Sequence, residues 1–191
     1  RTCHSPIFKI VMAGNISELN GIKEVIEGFK LTSNPNYRLS IAGSGALQPL
    51  VEAAAETDSR IELLGYLSFE QVLALYEEAD CIVNMRLTKR LKSNYLFPSK
   101  LFEYLASGKP VITTCPGHVA DEYSQIAILL HEETAEALRI AIDTVAAMSC
   151  EERQRLGEKA VQHMREHSTW NAVGWQMVSY MMSINLKKRQ S

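Results

Sequence analysis

Short runs of β-branched and aliphatic residues alternate along most of this chain with longer segments of helical periodicity, and no other feature limits its fold so strongly. Residues 7–12 form the first run and end in a turn at Gly14, after which Ile22, Val25, Ile26 and Phe29 share one helical face. Residues 37–42, 60–64, 80–84, 110–114 and 126–130 read as further strands. Between them lie helical patterns over 47–56, from the Ser68 cap through Glu78, and over 98–107. Beyond the last strand only helices are expected, over 133–148, 151–167 and 170–184. A strand, a helical crossover and another strand, repeated, require parallel pairing, because a right-handed helical connection is the available route between parallel neighbours. The predicted fold is an α/β doubly wound parallel sheet, Rossmann-like, forming a single domain over residues 1–191 with extra C-terminal helices. In such sheets ligands sit beyond the carboxyl ends of the strands, which directs attention to the loops starting at Gly14, Gly43, Gly65, Met85 and Cys115.

Charge and cysteine content narrow the partners. With 20 Lys and Arg against 22 Asp and Glu, no overall positive field recruits nucleic acid, so an anionic ligand must be held locally. The cysteines at 3, 81, 115 and 150 form no Cys-x-x-Cys pair, which argues against a zinc site and a secreted disulfide framework and fits a reducing cytosol. Apolar runs such as 126–130 are too short to span a bilayer. The basic end, Lys187-Lys188-Arg189, reads as a solvated tail rather than a lipid anchor. A start at Arg1 that reaches a strand within a few residues is what an excised domain would show.

The segment Phe97-Pro98-Ser99-Lys100-Leu101-Phe102-Glu103-Tyr104 carries the clearest chemistry. Pro98 pre-sets the first helical turn, leaving the amides of Ser99, Lys100 and Leu101 facing outward at the positive end of the helix dipole, where a phosphate is stabilised. Lys100 adds a full charge, and Glu103, about one turn further on, can accept hydrogen bonds from two neighbouring ribose hydroxyls. A proline, a serine and a glutamate are also ordinary capping choices, so these residues alone leave both readings open.

Together with the following Ala106-Ser107-Gly108-Lys109-Pro110-Val111, the segment resembles the signature of retaining GT-B glycosyltransferases of family 4. Ala13-Gly14 and Asn20-Gly21 resemble that family's first phosphate loop, Ile41-Ala42-Gly43-Ser44-Gly45 and Leu63-Leu64-Gly65-Tyr66-Leu67 its next two strand ends. Ala79-Asp80 before Cys81-Ile82-Val83, and Ser168-Thr169-Trp170, fall in the right order, so the resemblance covers essentially the whole chain. It implies one half of a GT-B fold that binds a nucleotide diphosphate sugar for retaining, hexosyl-type transfer to a saccharide or lipid-linked acceptor. The acceptor would be held by an N-terminal domain that nothing in these residues corresponds to. The resemblance also implies no cofactor and no metal fixed in the fold, and a cytoplasmic setting, peripheral at the inner membrane face in a full-length protein. Transfer by this chain alone is not expected. By the same resemblance Glu103 binds the ribose and Gly14, Asn15, Ser99 and Lys100 the diphosphate. Tyr95, Leu96, Phe97 and His118 fall at the donor sugar, and Gly65 and Tyr66 frame the base.

Departures from the family pattern keep two other classes open: a non-catalytic or degenerate nucleotide-sugar-binding module, and another GT-B enzyme such as a nucleotide-sugar epimerase. Tyr95 stands eight residues before Glu103, where family members often carry a Glu, and it brings no negative charge. The common Arg and Lys of the first loop fall at Asn15 and Asn20. The basic loop from Arg86 through Lys89, Arg90 and Lys92 lies in position to replace that charge, although a mobile, solvated loop would read the same way. Gly43-Ser44-Gly45 lacks the third glycine of a dinucleotide fingerprint and is taken as a turn. His163 and His167 are taken as an exposed helix face, Phe102 and Tyr104 as core, and Trp170 and Trp175 as anchors of the final helix.

Overall fold

Strand β1 (Phe8–Ala13) is buried along almost its whole length, which is what a parallel sheet covered on both faces demands of its central strand. A computed structural model describes residues 6–88, 99–114 and 120–169. β1 pairs on one side with β2 (Tyr37–Ala42), which pairs with β3 (Ile61–Gly65). On its other side it pairs with β4 (Cys81–Asn84), followed by β5 (Val111–Thr114) and β6 (Ile128–Leu130). All five pairings are parallel and the strand order is β3-β2-β1-β4-β5-β6. The direction of winding therefore reverses between β1 and β4, and the crevice beyond their carboxyl ends is where such sheets bind ligands.

The alternation along β1 builds two cores. Ile10 and Met12 point to the face covered by α1 (Ile22–Lys30), α2 (Gln48–Thr57) and α6 (Ala135–Ala147), where they join Phe29, Leu39, Val51, Leu138 and Ile142. Val11 and Ala13 point to the opposite face, under α3 (Phe69–Glu78), α4 (Ser99–Ala106) and α7 (Cys150–His167), with Tyr76, Ile82, Leu101, Tyr104 and Ala160. Phe102 is only half-buried, its ring edge-on to Tyr123 at 6.5 Å, so of the two expected core aromatics Tyr104 alone is fully enclosed. Helix α3 starts as expected at Ser68, in a reciprocal capping box with Gln71, and Ser149 with Glu152 caps α7 in the same way.

Two elements escape the periodicity. A single 3-10 turn spans Glu18–Asn20 and a four-residue helix, α5, spans Ala120–Tyr123, both too short to show a repeat. β6 begins at Ile128 rather than at 126, because the amides of Ile126 and Ala127 turn back onto the carbonyl of Tyr123. The expected helix over 170–184, with Trp170 and Trp175, lies outside the described residues. Cys81 is a buried free thiol, whereas Cys150 is disulfide-bonded. Among the described residues, no helix is long and apolar enough to cross a membrane, and no group of three or more His, Cys, Asp or Glu could hold a metal ion.

Candidate functional site

The reversal of winding leaves a cleft of about 180 Å³ between the ends of β1 and β4 and the start of α4, lined among others by Gly14, Asn15, Asn20, Asn84, Arg86 and Lys100. Four residues predicted for the diphosphate or its loop, Gly14, Asn15, Asn20 and Lys100, thus come together with Arg86 in one place. Ser99 opens α4, whose first-turn amides lack intrahelical acceptors; its side chain lies outside the described residues, as do Tyr95, Leu96, Phe97, His118, Lys89, Arg90 and Lys92. A larger groove of about 750 Å³, lined by Lys9, Arg38, Ser40 and Glu62, runs over the face of β1, β2 and β3 and includes none of the loops at the strand carboxyl ends. Topology and chemistry both favour the smaller cleft.

Gly14 has a φ of 146°, and a Cβ there would meet nothing closer than the Lys100 side chain at 4.0 Å, so its backbone lies open toward the cleft. The neighbouring Gly43 differs, since a Cβ would fall 1.8 Å from the Gly14 carbonyl oxygen. The Gly14 amide donates to Ala42 at 2.9 Å and the Gly43 amide donates to Gly65 at 2.7 Å, which fastens the first three strand ends edge to edge. Gly43 is therefore required for packing, consistent with its reading as a turn. Gly65 and Tyr66 sit at the same edge but not in the cleft; Gly65 is open above, and Tyr66 is 85% exposed.

Glu103 stands one turn into α4 with its carboxylate half-exposed. Lys100 donates to both of its oxygens, at 3.0 and 3.1 Å, and the Tyr76 hydroxyl donates to Oε1 at 2.8 Å. Tyr76 comes from α3 and is 1% exposed; burial, then Tyr104 and Glu103 beside it, push its hydroxyl well above the usual tyrosine range, so it remains a donor. Its ring meets that of Tyr104 edge-on at 5.6 Å. Tyr104, also raised chiefly by burial, donates its hydroxyl to the carbonyl of Ala13, the residue before Gly14. One helix face thus fixes Glu103 and ties α4 to the first loop.

Tyr76 is the residue that the sequence reading missed. The available signal was its phase: it shares an inward face with Val72 and Ala79, and a hydroxyl aimed inward needs a partner. Asn20, at the wall of the cleft, donates its side-chain amide to the Asn15 carbonyl at 2.7 Å and so stabilises the first loop. Asp80 lies at the opposite, amino end of the strands, exchanging hydrogen bonds with the backbone of Lys9 at 2.8 Å.

The start of the basic loop is anchored. Thr114 Oγ1 accepts from the Arg86 amide at 2.7 Å and donates to the Arg86 carbonyl at 2.8 Å. The Leu87 amide donates to Leu19 at 2.9 Å, and the Thr88 amide and hydroxyl both donate to Glu133. Residues 86–88 are thus held between β5, the 3-10 turn and the segment before α6, while Lys89, Arg90 and Lys92 lie outside the described residues.

Comparison with known proteins agrees with this architecture. Residues 7–148 match the model of the family Glycosyl transferases group 1. The Escherichia coli (strain K12) protein WcaI, named as a colanic acid biosynthesis glycosyl transferase, is 26% identical over 136 residues; the match takes in 68% of this chain but only 33% of WcaI. The C-terminal domain of a glycosyl transferase group 1 family protein, LpcC from Francisella tularensis, superposes with a TM-score of 0.70 at 16% identity, covering 85% of this chain and 87% of that one. Anabaena HepE, solved with UDP, superposes with a TM-score of 0.74 at 15% identity, covering 93% of this chain and 49% of HepE. The chain therefore belongs to the glycosyl transferases group 1 family and has the Rossmann-like fold of a C-terminal GT-B domain.

Proposed function

We propose that this chain is the donor half of a retaining glycosyltransferase, binding a nucleotide diphosphate sugar in the cleft between β1, β4 and α4, with the acceptor held by a separate N-terminal half. The observation that carries the reading is the placement of Glu103. A carboxylate oriented by Tyr76 and Lys100 stands one turn behind the free amides of α4 and beside the open backbone of Gly14. A ribose diol hydrogen-bonded to Glu103 would direct its diphosphate at those amides. As positive charge develops on the departing sugar, the same donors would stabilise the leaving diphosphate. The nucleotide named with HepE is UDP, and the process named for WcaI is colanic acid biosynthesis; both fit a role in polysaccharide assembly here.

Calorimetric titration with UDP, GDP and ADP, repeated on Glu103→Ala, tests the reading. Saturable binding of one nucleotide that weakens at least tenfold in the variant is expected. Binding that is indifferent to Glu103 would remove it from the ribose. A second reading, a donor site weakened by loss of cations, is favoured by Asn20 being engaged with the Asn15 backbone. It predicts a large gain in affinity from Asn15→Arg in the otherwise natural chain.

A further inference from the structure

We infer that Arg86 is the diphosphate-binding cation of this chain, taking over from the β4 side of the cleft the charge that Asn15 and Asn20 do not supply. The inference rests on the donor-binding reading and adds to it a residue and a source of charge. Two cationic side chains line the cleft among the described residues, Lys100 and Arg86. The Lys100 ammonium is within hydrogen-bond distance of both Glu103 oxygens, so the helix contributes a neutral pair to the cleft rather than a net charge. When Glu103 engages a ribose its charge persists, and the balance at α4 does not change. Among the described residues Arg86 has no such partner. Its Nε is buried without a hydrogen bond, while its backbone is locked to Thr114 and the next residue to Leu19.

An unpaired guanidinium nitrogen shielded from water is costly unless something arrives to accept from it. A planar fork of donors matches phosphate oxygens, which a ligand entering this cleft with its diphosphate at the α4 amides would present. The anchored backbone matters equally, since a preorganised arginine loses less entropy on binding than one on a loose loop. The cations of the larger groove on β1, β2 and β3 are already engaged, Arg60 with Asp58, Lys9 with Glu78 and Arg38 with backbone carbonyls.

The test titrates the 191-residue chain and its Arg86→Gln variant with UDP, GDP and ADP, and with the nucleoside of whichever diphosphate binds most tightly. Arg86→Gln is expected to weaken the diphosphate about tenfold to a hundredfold, the range for a lost charge-assisted contact, and to leave nucleoside affinity within about twofold. Adding Asn15→Arg to Arg86→Gln is expected to restore most of the diphosphate affinity, which also shows that the variant folds. Equal weakening of diphosphate and nucleoside, or no weakening of either, would overturn the assignment while leaving the donor site standing. Failure of the unaltered chain to bind any of the three nucleotides would remove the donor-binding reading and Arg86 with it.

Discussion

Substituting Tyr76 by Phe removes one hydroxyl that the structure places 2.8 Å from Glu103 Oε1 and leaves the buried ring, with its edge-on contact to Tyr104, in place. The carboxylate would then be held by Lys100 alone, through an i,i+3 pair whose side chains are 42% and 31% exposed. Such exposed pairs contribute only about 0.2–0.5 kcal/mol, too little to hold a glutamate in one rotamer. Immobilising that side chain when ligand binds should therefore cost about 0.5–1.5 kcal/mol more than in the natural chain, a twofold to tenfold loss of nucleotide affinity. Folding stability should fall by about 1 kcal/mol, the net worth of an ordinary hydrogen bond. Calorimetry with a nucleoside diphosphate and its 2′,3′-dideoxy analogue separates the two effects. If Tyr76 acts by positioning Glu103 on the ribose, the affinity loss appears with the complete ribose and vanishes with the analogue. An equal loss with both ligands would refute the reasoning and reduce Tyr76 to a packing residue.

Three further perturbations address the scaffold. Gly43→Ala places a methyl against the Gly14 carbonyl at a φ of 132° and should destabilise the chain by at least about 2 kcal/mol in urea unfolding, since neither backbone can yield without parting the first two strand ends. Asp58 pairs with Arg60 at 2.7 Å, and hydrogen bonding from Arg60 holds its carboxyl below the usual carboxylate range. This contribution is present above the unfolded value of about 3.9 and lost as pH falls through the lower folded value, so Asp58→Asn should cost about 1–2 kcal/mol at neutral pH and flatten the acid limb of the stability profile. Ser149→Ala removes half of the α7 capping box and should lower stability by about 1 kcal/mol in thermal or urea unfolding, without altering nucleotide binding.

The sheet was legible because its code is local. Six apolar runs separated by helical repeats name the strands, and the requirement for helical crossovers makes them parallel; β2 begins and ends at the expected residues. The ends of β6 and the elements Glu18–Asn20 and Ala120–Tyr123 were not legible, because a single turn has no period and its hydrogen bonds depend on what lies beside it. Within the site, Gly14, Lys100 and Glu103 could be named from a motif that is contiguous in sequence. The partners of Tyr76 and Thr114 could not: one reaches Glu103 across 27 positions, the other locks Arg86 across 28, and the phase that turns Tyr76 inward does not say which residue it meets.

On the proposed donor-binding reading, a cleft that lacks the expected cations in its first loop would have to meet a doubly charged diphosphate, and the fold limits where replacement charge could come from. Among the described residues, the strand ends on either side of the reversal point and the start of α4 line the crevice, so a described substitute for Asn15 and Asn20 at the end of β1 lies at the end of β4 or the start of α4. The α4 position is filled by Lys100, whose charge is balanced by Glu103. The end of β4 is left, and Arg86 occupies it. Moving the cation from one side of the crevice to the other keeps it against the same phosphates but changes what its loss would do. Removing a first-loop cation would disturb only the β1 end, whereas removing Thr114, which holds the Arg86 backbone at both its amide and its carbonyl, should weaken diphosphate binding from a residue that never touches the ligand. Thr114→Val keeps the shape of that buried side chain and deletes only the hydroxyl. It should reproduce part of the Arg86→Gln loss for the diphosphate and none for the nucleoside, and titration of both ligands would refute the relay if the two affinities fell together.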